Sequence, residues 1–118
     1  MQIAGVDERD SSWESHRPRF RVYFFIGGES GRPWATNTYD VTDADVLEVL
    51  QWAQEQAGNE CLYAVALVTE EAVGTAGPQR GLMWLVGTDA NDTATDEAQQ
   101  HSLTTMRQRQ GQRLVALR

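Results

Sequence analysis

Two segments constrain the fold more than any others, because each is apolar on both of its faces: Glu60–Thr69 (ECLYAVALVT) and Gly81–Val86 (GLMWLV). Side chains alternate across a strand, so Tyr63, Val65 and Leu67 oppose Leu62, Ala64, Ala66 and Val68. In the second segment Leu82, Trp84 and Val86 oppose Met83 and Leu85. Strands of this kind are covered on both sides. The link between them, Glu70–Arg80, contains Gly74, Gly77 and Pro78 and reads as a long hairpin loop.

Cover for one side is easy to find. Thr42–Gly58 (TDADVLEVLQWAQEQAG) carries a helix start, with Thr42 as the capping hydroxyl for the amide of Asp45. Asp43, Asp45 and Glu48 place negative charge at the positive end of the helix dipole. Gly58 suits the left-handed stop. Val46, Val49, Leu50, Ala53 and Ala57 share one face, with Leu47 at its edge. Asp45, Glu48, Gln51 and Glu55 share the other, and Trp52 lies among them rather than in the apolar stripe.

The remaining segments fit around this centre. Arg19–Ile26 alternates, with Phe20, Val22, Phe24 and Ile26 on one side and Arg21, Tyr23 and Phe25 on the other. The glycine-rich 27–31 stretch is turn chemistry, and Trp34–Val41 returns as the second strand of a hairpin. Thr95-Asp96-Glu97 reads as a second helix start, with Arg107 and Arg109 near its negative end. A Thr-rich strand paired with Arg113–Leu117 is the competing assignment. Leu114–Leu117 reads as a last short strand. The expected class is α+β, a mostly antiparallel sheet in β-β-α-β-β-α-β order with the helix at about 43–57 packed on it. Residues 1–18 form a polar arm, and 19–118 a single domain. Val46, Leu50, Ala53, Tyr63, Val65, Leu67, Trp84 and Val86 are the expected core. The second face of the central strands needs the weaker helix, the arm or another copy of the chain.

The charge balance bounds the function. Net charge is −7, and between residues 40 and 97 twelve acids stand against Arg80 alone. Such a body repels nucleic acid and suits a basic partner. Arg107, Arg109, Arg113 and Arg118 form a small basic patch without stacking aromatics; pairing with the acidic body is the better use for it. The single cysteine, Cys61, excludes an internal disulfide and reads as a buried, inert thiol. No apolar run reaches membrane-spanning length and the N-terminus is acidic, so a cytoplasmic protein is expected.

Chemistry-bearing clusters are sparse. Asp89, Asn91, Asp92, Asp96 and Glu97 are the densest oxygen donors. Ala94 and Gln100 stand where a calcium loop needs glycine and a bidentate glutamate, so a solvated turn and helix cap is the better reading. The 27–32 loop lacks a phosphate-binding glycine pattern, and Glu29 opposes an anion there. His16 and His101 cannot make a three-histidine zinc site. No metal or cofactor is expected. The expected function is a non-enzymatic protein-interaction domain that self-associates as a homodimer, with Trp52 as an apolar anchor ringed by Asp45, Glu48 and Glu55. One alternative is an inhibitor that neutralises a basic toxin. Helix, two-faced strand and GLMWLVGTD in succession are faintly similar to toxin-immunity families, without a diagnostic motif. Another is a small enzyme or ligand binder using the 27–32 or 89–97 loop.

Overall fold

The computed structural model describes residues 1–28, 32–72, 78–93 and 95–117. Strands β1 (Phe20–Gly27), β2 (Trp34–Val41), β3 (Leu62–Ala72) and β4 (Pro78–Val86) form one antiparallel sheet in the order β2-β1-β3-β4. Helix α1 (Val46–Ala57) joins β2 to β3, and helix α2 (Glu97–Gln108) follows β4. This is the α+β class with an antiparallel sheet. The arm holds one short helical turn, Glu8–Asp10, and is exposed through residue 17, including Trp13.

The central pair β1–β3 sets the layers. Its register puts Val22 opposite Val65 and Phe24 opposite Tyr63. Phe20, Val22, Phe24, Tyr63 and Val65 pack with Val49, Ala53 and Ala57 of α1 in one core. On the reverse face Phe25, Leu62 and Ala64 pack with Met106 of α2, flanked by Tyr23, Trp34, Trp84 and Leu103. The weaker helix is therefore the second cover, and the rival strand assignment for 95–109 does not occur. The close approach of α2 depends on Gly87, whose φ is +74°. A β-carbon there would meet Met106 Sδ at 2.9 Å and Ala64 Cβ at 3.0 Å.

Three expectations need correction. Helix α1 starts at Val46, with Asp45 rather than Thr42 as its cap: Asp45 Oδ1 accepts from the Glu48 amide at 2.9 Å and Glu48 Oε1 from the Asp45 amide at 3.1 Å. This reciprocal pair satisfies two backbone donors, where Thr42 could satisfy one. Val46, expected in the core, is 39% exposed, and Leu50 is only partly buried. Val46 shares the inward meridian of the helix but sits on its first turn. The buried stripe is Val49, Ala53 and Ala57, with the large Trp52 ring packed on its flank. Leu50, Leu67 and Val86 nonetheless pack against the α1 core as expected, and Trp84 against the α2 one, each partly buried. Finally, Leu114–Leu117 joins no strand; the order is β-β-α-β-β-α, and these residues run outside the sheet along α1.

A chain of ion pairs crosses the sheet at the end that α2 leaves open. Asp40 of β2 accepts from Arg21 and Arg19 at 2.7 Å each, and Glu70 of β3 from Arg80 of β4 at 2.9 Å. Arg19 approaches Glu70 at 3.8 Å and closes the series. The hydrogen bond from Arg21, aided by Arg19 and opposed by partial burial, holds the Asp40 carboxyl at about 2.

Two outcomes follow from this packing. Phe25→Ala should cost about 3–5 kcal/mol in chemical denaturation, whereas Val46→Ala should stay within about 1 kcal/mol. Because the folded carboxyl of Asp40 titrates below its unfolded value, its contribution is complete above about pH 4 and lost as pH falls towards 2. Asp40→Asn should flatten that acid-side loss by on the order of 1 kcal/mol, after allowance for solvent screening. Denaturation midpoints compared across pH 2–5 check this.

Candidate functional site

The groove between α1 and β2 holds Trp52, one of the four residues singled out from sequence. Trp52 projects from the flank of α1 towards the sheet. Its ring meets Phe24 edge-on at 5.6 Å and Tyr39 at 5.8 Å, and those two rings meet at 5.9 Å. Such edge-to-face contacts match the positive rim of one ring with the negative face of the next. The three rings wall a cavity of ≈ 340 Å³, to which Asn37 and Gln56 add amides and Cys61 a thiol. The thiol is held above its usual range, by burial first and then by the neighbouring Glu60 charge, so it is a weak nucleophile. Trp52 is thus a groove wall, packed along one side, rather than a free-standing anchor.

The carboxylates predicted around it are placed differently from one another. Asp45 and Glu48 are exposed but engaged in the helix cap. Glu55 lies on the outward face and accepts from Gln51 Nε2 at 3.2 Å. None of these three lines the aromatic groove.

The other candidate loops are structural where described. Asp89 Oδ1 accepts from the Asn91 amide at 2.9 Å, and Asp96 Oδ1 accepts from the Gln99 amide at 2.7 Å as the cap of α2. Asp92 accepts from Gln99 Nε2 at 3.2 Å. Asn91 fastens the start of β2: its Oδ1 accepts from the Trp34 amide at 2.7 Å and its Nδ2 donates to the Trp34 carbonyl at 2.9 Å. Among the described residues no group of three or more His, Cys, Asp or Glu is placed to hold a metal ion, and no helix is long and apolar enough to cross a membrane. In the 27–32 loop, residues 29–31 lie outside the described residues, as does Ala94 of the 89–97 loop.

Two features of the surface escape sequence reasoning. The first is the outer strand β4, whose Leu82, Met83 and Leu85 are 40%, 59% and 42% exposed. Its apolar pattern is legible, but its edge position follows from strand order, which no local signal encodes. The second is Gln54, a buried polar residue of α1 that binds the backbone of the C-terminal segment. A glutamine beside an apolar helical stripe, together with an unpartnered LVAL end, is the only trace of that contact in the sequence.

No family model matches the chain, and neither the curated proteins nor the solved structures include a significant match.

The Trp52 geometry sets one outcome. Trp52→Ala should lower folding stability by about 2–3 kcal/mol, less than a fully buried ring and more than a surface one. An unchanged denaturation midpoint would show that the three-ring contact contributes nothing.

Proposed function

We propose that the chain is a non-enzymatic protein-interaction domain that pairs with a second copy of itself along strand β4. The observation that carries this reading is the character of that edge. Residues 81–86 (GLMWLV) contain no charge in a chain whose net charge is −7. They present exposed Leu82, Met83 and Leu85 beside a row of outward backbone groups. A long apolar edge strand is a template for another strand, and edges that must stay single are defended by charge or covered. The opposite edge, β2, reads WATNTYDV, polar along its middle, and its first residues are fastened by Asn91; on β4 the proline and the charge, Pro78 and Arg80, stand only at its start. Two copies meeting at β4 bring the least charged part of each together, which limits repulsion between two acidic bodies. An antiparallel β4–β4 contact would extend the four strands into one continuous sheet and remove the edge.

A second reading is an inhibitor of a basic protein, which the unpaired acidity favours. Glu48 and Glu55 remain exposed on the outward side of α1, next to the aromatic groove. Carboxylates so placed accelerate encounter with a cationic surface, and the groove would take an apolar side chain from it. A toxin reading frame beside the gene would favour this reading over the self-associating module.

Sedimentation velocity tests the first reading. The wild-type chain should show a concentration-dependent dimer, and Met83→Lys should weaken it at least roughly tenfold while leaving the melt unchanged, since Met83 is mostly exposed in the single copy. A wild-type chain that stays monomeric to about 0.5 mM, a concentration at which even weak edge pairing of a few kcal/mol registers, would overturn the reading.

A further inference from the structure

The C-terminal segment is held on α1 by side-chain amides that do the work of a neighbouring strand. Gln54 Oε1 accepts from the Leu114 and Val115 amides at 2.9 Å each, and Gln54 Nε2 donates to the Val115 carbonyl. One turn back, Gln51 Oε1 accepts from the Leu117 amide at 3.2 Å and Gln51 Nε2 donates to the Leu117 carbonyl at 3.4 Å. Glu55 orients the Gln51 amide. In an extended chain the N–H and C=O of one residue point to the same side, and those of the residue two further on point there again. Val115 and Leu117 turn their N–H and C=O to α1 in that pattern, while the chain curls at Leu114 so that its amide also reaches Gln54 Oε1; each glutamine uses a donor and an acceptor to match it. Gln54 is 8% exposed, so its amide is a built, desolvated reading head rather than a surface side chain.

The contact reads backbone and leaves side chains largely alone. Leu114 and Leu117 remain 47% and 39% exposed, and Ala116 is exposed. The segment therefore gains little apolar burial from docking, and its own sequence is not what the glutamines recognise. Charge supplies the remaining preference. Helix α1 carries Glu48 and Glu55, no basic residue and an Asp45 cap, while residues 112–117 carry Arg113 and no acid.

We propose that Gln51 and Gln54 form a clasp for an extended, basic peptide segment of a partner protein, and that residues 112–117 occupy the clasp in the free chain. The tethered segment holds the site by local concentration, in the millimolar range for short connections, rather than by strong contacts. A partner segment that presents the same backbone groups and more than the single Arg113 to Glu48 and Glu55 displaces it. This site is separate from the β4 edge and does not depend on self-association.

The test uses the full chain and a synthetic peptide of residues 112–118. Leu114→Pro with Val115→Pro removes both amides that Gln54 accepts and frees the clasp without altering α1. The side-chain NH₂ resonances of Gln51 and Gln54 are followed by ¹⁵N–¹H spectroscopy, with a cooperative melt as the check on folding. The peptide should shift both resonances saturably in the double variant and bind the wild-type chain more weakly, because its own segment competes. The same peptide N-methylated at the positions equivalent to Val115 and Leu117 should bind roughly tenfold to a hundredfold less well, having lost the donors that the glutamines read. No saturable shift in either chain, or equal binding of the methylated peptide, would overturn the proposal. The methylated arm alters only the ligand, so it decides the matter with the wild-type chain even if the variant fails to fold.

Discussion

The β1–β3 pair governs the structure because it is apolar on both sides and lies in the middle of the sheet. Phe24 and Tyr63 face α1 while Phe25 and Leu62 face α2. Burying both sides of two strands removes far more apolar surface from water than one helix can cover, so the domain must have three layers. The helices share the task unequally. α1 supplies small residues, Ala53 and Ala57, which let it sit close to large strand residues, and adds Trp52 at its flank. α2 contributes Met106 and Leu103 and reaches only the end near Phe25 and Ala64. Beyond that reach the sheet face changes character, from aromatic Tyr23 and Trp84 to the arginine–carboxylate series. Ion pairs there replace a cover: polar side chains joined across strands need no second layer to keep water away.

How much of this was legible depends on the range of the interaction. Local periodicity was sufficient for β1, for the β1–β2 hairpin, for α1 and for the two-faced strands, because the residues that decide each element lie within it. The helix start legible at Thr95-Asp96-Glu97 becomes α2, with Asp96 as its cap. Asp45 takes the cap from Thr42 because Glu48 reciprocates, Val46 stays partly outside because it stands on the first turn, and Trp52 packs inward because Phe24 and Tyr39 are there to receive it. For Trp52 the partners lie 13 or more residues away, and a helical wheel carries no knowledge of them. The candidate site suffered more than the fold. A tryptophan among acids is a sound reason to suspect an exposed anchor, yet the neighbouring strand supplies the aromatic wall that turns it into a groove.

The fate of the C-terminal segment links the clasp to the open edge. Leu114–Leu117 has strand composition, and a fifth strand on β4 would have covered its open edge. The path of the chain prevents it. After α2 the backbone turns at residues 109–112, where Gln110 Nε2 donates to the Asn59 carbonyl at 3.1 Å. Asn59 follows the end of α1, so the segment emerges beside that helix and runs back along it, from Gln54 towards Gln51. A helix has no free backbone groups along its side to pair with an extended chain. Glutamine side chains supply them instead, and at Gln54 the cost of burying an amide is offset by three backbone partners. The same turn that brings the segment to the glutamines thus leaves β4 unpaired. An edge without its strand and a segment without its sheet are two results of one chain direction, and each leaves main-chain recognition open to a second polypeptide.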